Sequence, residues 1–278
     1  MDLYTRTASQ MSQVLTNNYS TSFGLATRLF GREIRAYIYN VYGLVRLADE
    51  IVDTYAGRDA GELLNALQAE THAAIPRAYS TNPVVHAFAI TAAKFGITKT
   101  LIDPFFESMR IDLKPKNYHA KDYKRYIYGS AQVVGLMCLK VFCHGDAAQY
   151  KKLEPGAKAL GGAFQKVNFL RDIADDHERL GRYYFPVGSF AGFDEATKIQ
   201  IVADIDADFA LAHTAIRQLP TSARPAVMAA YQYYLRLHKK LRATPAATIK
   251  KQRIRISNPH KLAVLAGTLV TERLRGGK

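Results

Sequence analysis

The 278-residue chain contains no tryptophan and only two cysteines. Cys138 and Cys143 make no metal or redox spacing and lie in a run that reads as core, so they are expected to be reduced, buried thiols of a cytoplasmic protein. The eight histidines are scattered without ligand spacing, which argues against zinc. No Gly-rich phosphate loop and no dinucleotide fingerprint is present, which argues against ATP hydrolysis and a Rossmann cofactor site. Long apolar runs are missing too. The best two, VVGLMCLKVFC (133–143) and LAVLAGTLV (262–270), fall well short of the ~20 residues that span a bilayer. The opening MDLYTRTASQMSQ lacks a charged start followed by an apolar block, so no signal peptide is expected. Internal repeats, low-complexity tracts and long linkers are absent.

What is present is an ordinary globular composition, 48% hydrophobic and 22% charged. Acids are the scarcer charge, 24 against 38 Lys and Arg, giving a net charge of +14. The excess is concentrated at the end: from Arg236 to Lys278 there are twelve Lys or Arg and one acid, Glu272. Such a patch suits a polyanion, whether nucleic acid, anionic membrane or a phosphorylated substrate, or is a solvated basic tail.

The hydrophobic pattern is helical nearly throughout. Ile34, Ile38, Val41, Val45, Ala48, Val52 and Tyr55 recur every three or four residues, and Leu44, Leu47 and Ile51 widen the stripe beyond that of a surface helix. Candidate stops are Gly57, the Pro76 and Pro83 region, Pro104, KPKNYH (114–119), Pro155, GRYYFPVGSFAGF (181–193), Pro220, Pro225 and Pro245. Strand-like alternation is rare, QRIRIS (252–257) being its one plausible stretch. The expected fold is all-α, one domain over residues 1–278 with helices packed round a common core.

Beside the apolar stripe of the helix at 33–55, Tyr42, Arg46, Asp49 and Asp53 follow spacings of 4, 3 and 4 and form one polar line, with Glu50 at its edge. Apolar residues flank it on both sides, so it is expected to face an internal cavity. Neighbouring carboxylates in a low-dielectric site repel, and burying them unpaired costs more. Hard divalent cations with oxygen ligands would offset this; so would an Arg46–Asp49 or Arg46–Glu50 ion pair on a plain surface helix.

The pattern recurs. GGAFQKVNFLRDIADDHERLGRYYFP (161–186), expected to open after Pro155, carries an apolar stripe of Ala163, Val167, Leu170 and Ala174. Alongside run Gln165, Asn168, Asp172 and Asp176, with Asp175 and Arg171 adjoining and Gly161 extending the line where a missing side chain leaves room. Facing each other, the two helices would form a bowl of carboxylates for several Mg²⁺ ions, which keep waters and pair carboxylates with phosphate oxygens. The arginines suit a diphosphate, because a guanidinium donates in a fork that fits phosphate.

RLADEIVD (46–53) and NFLRDIADD (168–176), together with YSTSF (19–23), YIYGSAQVVG (126–135) and GRYYFP (181–186), resemble the squalene/phytoene synthases. Order and separation of all five match, and the likeness continues through YLRLHKKL (234–241) and QRIRIS over almost the whole chain. The resemblance implies an all-α isoprenoid synthase fold with a central cavity, condensing two prenyl diphosphates head to head through a cyclopropyl diphosphate. It implies that Asp49 and Asp53 bind Mg²⁺, for which Mn²⁺ can substitute, on one wall, and Asn168, Asp172 and Asp176 on the other. Arg46, Arg171, Gln165 and Tyr42 would hold diphosphates. Ser20, Thr21 and Ser22, with Tyr19 before and Phe23 after them, would meet the phosphate end of a substrate. Tyr128 and Tyr234 match cavity tyrosines, and Arg253 would reach released diphosphate. Many relatives carry His and a basic residue where this chain has Tyr19 and Thr21.

The chemistry suits the residues. Mg²⁺ and arginine stabilise charge on a departing diphosphate, and rings from the 17 Tyr and 13 Phe can each contribute about 0.5–2 kcal/mol to a nearby cation. Small residues in YGSAQVVG leave a groove for a prenyl tail or serve tight helix packing. The RIRIS…HKL ending is most similar to bacterial phytoene synthases, which implies two geranylgeranyl diphosphates condensing to phytoene with no NADPH. Dehydrosqualene or squalene from farnesyl diphosphate is the alternative within the family. The basic end then suits peripheral contact with an anionic membrane at its inner face better than nucleic acid, for which no module is recognisable. A class I terpene cyclase would need Asn, Ser or Thr, and Glu ligands that NFLRDIADD does not supply, and a non-catalytic basic scaffold leaves the paired acidic lines unexplained.

Overall fold

The computed structural model describes residues 2–19, 21–55, 57–113 and 120–256, with Gly267 beyond them. Ser20, the breaker KPKNYH and, apart from Gly267, the run at 262–270 and the rest of the basic end therefore lie outside the described residues. The helices are α1 Leu3–Tyr19, α2 Thr21–Thr27, α3 Arg32–Asp53, α4 Ala60–Arg77, α5 Pro83–Phe95, α6 Lys99–Asp112, α7 Ala120–Ile127, α8 Val133–Phe142, α9 Ala147–Leu180, α10 Glu195–Ile216, α11 Arg224–Ala243 and α12 Ala246–Ile249. A π-helical turn, Tyr128–Gln132, joins α7 to α8. No strand forms among the described residues.

Of the two helices singled out by their acids, α9 is the longest at 34 residues and α3 has 22, as α10 does. In α3, Ile34, Ile38, Val41 and Ala48 are buried as their spacing requires, while Val45 and Val52 are half-buried and Tyr55 lies exposed past the helix end. α9 begins earlier than expected. Asp146 caps it by accepting from the Gln149 N–H at 2.9 Å, and the helix passes straight through Pro155 before ending at Gly181, whose φ of 62° only glycine adopts freely. A proline inside a helix forfeits one backbone hydrogen bond. Here α9 packs against α8, α10, α11 and the π-turn along its length, and that burial outweighs the loss. Pro76 and Pro104 likewise sit inside α4 and α6.

The described part of QRIRIS, Gln252–Ile256, is not a strand. With no strand among the described residues to pair with, Arg253–Ile256 runs as irregular chain; Ile254 is anchored in the core while Arg253 and Arg255 turn towards a central cavity. Cys143 is buried and Cys138 half-buried, both free thiols.

Two glycines fix how closely the central helices approach. A Cβ on Gly129, in the π-turn, would lie 2.2 Å from the Pro104 carbonyl oxygen of α6. A Cβ on Gly161 would lie 2.7 Å from the Ala131 carbonyl oxygen. Gly161 thus does not extend the polar line of α9; its missing side chain is used for packing against the turn into α8, and it faces apolar space.

Candidate active site

α3 and α9 present their polar lines to one cavity of about 900 Å³. Asp49 and Asp53 line it from α3, and Asn168, Asp172, Asp175 and Asp176 from α9. Tyr19, Tyr42, Arg46, Gln165, Arg171, Tyr234 and Arg253 line it too. Residues up to 234 positions apart in sequence thus share one enclosure. Thr21, Ser22 and Phe23 open α2. Tyr128 differs: it is half-buried against the core with Lys158 Nζ 5.9 Å from its ring centroid, and lines neither of the two cavities described here.

The acids are held by arginines. Arg46 donates to Glu50 Oε2 at 2.9 Å, lies 3.8 Å from Asp49 Oδ2, and rests its guanidinium 4.5 Å from the centre of the Tyr19 ring. The Arg46–Glu50 ion pair therefore exists, with Arg46 lining the cavity and Glu50 at its edge. Across from it, Arg171 forks onto Asp172, Nε to Oδ1 at 2.8 Å and the amino group to Oδ2 at 2.5 Å. Arg253 reaches the same carboxylate, its Nε 2.7 Å from Oδ1. Burial shows in two of the acids. Desolvation lifts the Asp49 carboxyl to about 7, with Arg46 pulling it down and Asp53, Asp112 and Glu50 pushing it up. Desolvation and then Asp172 lift Asp176 to about 7 as well, against Arg182.

This donor set fits a hard divalent cation. It is all oxygen, the carboxyls of Asp49, Asp53 and Asp176 are raised, and the Oδ1 of Asn168 is buried without a hydrogen-bond partner. Among the described residues no three His, Cys, Asp or Glu side chains converge on a single point. The Arg46 Nε is also buried and unpartnered on the cavity wall, a donor suited to an anion.

Several wall residues escaped the sequence reading. Asp112, at the end of α6, accepts from the Tyr126 hydroxyl at 2.7 Å, and its backbone carbonyl accepts from Arg182, which also donates to the Tyr184 hydroxyl at 3.1 Å. All four line the cavity. Tyr126, Arg182 and Tyr184 lie inside the quoted motifs YIYGSAQVVG and GRYYFP, which was the available signal; Asp112 lies in none.

A second chamber of about 270 Å³ opens from the first, and the two share Tyr42, Val45, Ser130 and Gln165. Gln165 Nε2 donates to Ser130 Oγ at 3.4 Å across this neck. Beyond it the walls are almost wholly apolar: Val41 and Ile38 from α3, Val134, Cys138 and Phe142 from α8, Ala157 and Leu153 from α9. From Gln165 to Leu153 is twelve residues of continuous helix, about 18 Å at 1.5 Å per residue.

The sequence profile of squalene/phytoene synthases matches residues 16–260. The chain belongs to that family. Its members are prenyltransferases that work with a divalent metal, generally Mg²⁺. A 15-cis-phytoene synthase of Enterobacter agglomerans is 28% identical over 286 residues, covering 92% of this chain and 94% of that protein. The chloroplastic phytoene synthase 3 of Zea mays is 33% identical over 174 residues, 60% of this chain but only 40% of the maize protein's length. A crystal structure of a dehydrosqualene synthase superposes with a TM-score of 0.80 over 97% of this chain and 98% of that one, at 19% identity, and so shows a shared fold.

Proposed function

We propose that this family member condenses two geranylgeranyl diphosphates head to head, through a cyclopropyl diphosphate, to phytoene, a step of carotenoid synthesis. The observation that carries the reading is the joined pair of chambers: an acid- and arginine-lined cavity opening at one neck into an apolar tunnel. Diphosphate and tail demand those two solvents. An extended chain advances about 1.2 Å per bond, as a polypeptide does, so the main chain of a geranylgeranyl group, about fifteen bonds, needs about 18 Å, the depth of the tunnel.

Asp49 and Asp53 would hold Mg²⁺ on one wall and Asn168, Asp172 and Asp176 on the other. When bound, the metal supplies positive charge against the departing diphosphate. Arg46 and Arg171 orient the diphosphate through forked hydrogen bonds, and Arg253 stands ready to take phosphate oxygens in place of Asp172. Breaking the first C–O bond releases diphosphate, and the allylic cation is captured by the C2=C3 bond of the second substrate with loss of a proton, closing the cyclopropane. Breaking the second C–O bond releases the second diphosphate; rearrangement and loss of another proton give the hydrocarbon, with no reductant consumed. The apolar tunnel keeps water from the cation, and Tyr42 at the neck and Tyr234, stacked 4.0 Å from Phe164, offer ring faces. The exposed Arg236, Lys239, Lys240 and Lys251 suit residence at an anionic membrane surface, where substrate and product partition.

Incubation with geranylgeranyl or farnesyl diphosphate, with and without Mg²⁺ and NADPH, tests this. The expected result is a C40 hydrocarbon, dependent on Mg²⁺ and indifferent to NADPH. Faster turnover of the farnesyl substrate overturns the C20 assignment.

A further inference from the structure

Arg46 is pulled two ways. One amino group donates to Glu50 Oε2 at 2.9 Å, and the other lies 3.8 Å from Asp49 Oδ2. Asp49 lines the polar cavity and Glu50 sits at its edge, so one acid draws the guanidinium into the cavity and the other draws it out. The outward contact is the shorter. A flexible side chain follows the stronger pull unless something holds it, and a guanidinium forked onto Glu50 is lost to any anion in the cavity. Yet Arg46 is not forked onto Glu50. One hydrogen bond joins the two, and the Arg46 Nε stays buried without a partner on the cavity wall.

Tyr19 supplies the hold. It is the last residue of α1 and lines the cavity. Arg46 Cζ lies over its ring, 4.5 Å from the centroid, and its hydroxyl hydrogen-bonds the Glu50 carboxylate. The three side chains close a triangle: ring to guanidinium, hydroxyl to carboxylate, carboxylate to guanidinium. The hydroxyl meets part of the carboxylate's demand for donors, which weakens its grip on Arg46. The ring attracts the cation through its π face and need not accept any of the five N–H donors. A carboxylate holding Arg46 equally firmly would occupy donors that an incoming anion needs.

We propose that Tyr19 is a positioning residue: it keeps Arg46 from closing onto Glu50 and leaves the Nε–H free for a diphosphate oxygen of the substrate. This rests on the prenyl-diphosphate reading above and adds the residue through which Arg46 is kept ready. Tyr19 itself is no phosphate ligand, because its hydroxyl is engaged by Glu50. The gain is preorganisation. An arginine already held beside the anion site loses less side-chain freedom on binding, and has no forked ion pair to break first. Tyr19 is 49% exposed, so it acts from the rim and its removal opens no hole in the core.

The test is a double-substitution cycle on variants verified as folded by circular dichroism. It is read by calorimetric binding of an unreactive geranylgeranyl thiodiphosphate at saturating Mg²⁺. Tyr19→Ala weakens binding by about tenfold in the otherwise unsubstituted chain. An Arg46→Gln background keeps the acids of both walls and the apolar tunnel. There the same substitution changes affinity by less than about twofold, since no guanidinium is left to hold. Tyr19→Phe keeps the ring, loses the bond to Glu50 and weakens binding by about threefold. A tenfold loss that persists beside Arg46→Gln overturns the proposal, because Tyr19 then meets phosphate itself or only supports the fold. Undiminished affinity in Tyr19→Ala overturns it too, as does a Tyr19→Phe variant as weak as Tyr19→Ala. In those three cases the unsubstituted chain still binds, and the prenyl-diphosphate reading stands. No binding by the unsubstituted chain overturns that reading and the proposal together.

Discussion

The two chambers are neighbours built on the same helices, yet they are held together by opposite physics. α3 lends Asp49 and Asp53 to the first and Ile38 and Val41 to the second; α9 lends Asp172 and Asp176 to the first and Ala157 and Leu153 to the second. In the polar chamber the fold is working against itself, since burying like charges lifts two carboxyls to about 7. In the apolar chamber nothing opposes burial except the space deliberately left unfilled. The difference marks which part serves stability and which serves chemistry, so substitutions in the two should fail in different ways.

The sharpest contrast is expected from the acids. Asp49→Ala or Asp172→Ala should cut turnover by about a thousandfold or more, while thermal melting of the metal-free protein holds steady or rises for Asp49→Ala. A melting loss that parallels the activity loss would mean these acids hold the fold together. The opposite signature is expected at the π-turn beside the neck. Gly129→Ala forces α6 and the turn apart and should cost about 1–3 kcal/mol in denaturant unfolding; an unchanged midpoint would show that the close approach to Pro104 is not strained by a methyl group.

Acidity separates the chambers a third way. The Asp49 and Asp176 carboxyls are raised in the folded chain and ordinary in the unfolded one, so between about pH 4 and 7 the folded state binds more protons. Metal-free stability should therefore fall as pH rises through that window, and a melting series across it reads the sign directly. Saturating Mg²⁺ should flatten the slope, because it stabilises the ionised form. The smallest effect is expected from Arg253→Gln. Asp172 keeps the Arg171 fork, so melting should be unmoved while turnover falls by about tenfold through loss of one cation at the diphosphate.

Legibility in the sequence followed how local each feature is. The acid lines of α3 and α9 were readable because a carboxylate every fourth residue lies on one helical face, whatever the tertiary fold does. The burial of Ile34, Ile38, Val167 and Leu170 followed from the same periodicity. Asp112, Tyr126 and Arg182 were not readable as a group, because they come from element ends that only packing brings together. Pro155 misled because propensity at one residue was set against the burial of a 34-residue helix. QRIRIS misled because alternation signals a strand only when another strand is there to pair. Gly161 reads as an extension of the polar line that leaves room, whereas that room is taken by the Ala131 carbonyl. The tunnel was the least legible feature: its walls come from several helices, and its depth is a property of their register.

The central claim is that α3 and α9 hold one metal-bound diphosphate between them. Calorimetric binding of an unreactive geranylgeranyl thiodiphosphate tests it most directly, with and without Mg²⁺, for the unsubstituted chain, Asp49→Asn and Asp172→Asn. Affinity should fall by about a hundredfold or more when Mg²⁺ is omitted or when either aspartate is neutralised. Equal affinity with and without Mg²⁺, or a loss confined to one wall, would contradict it.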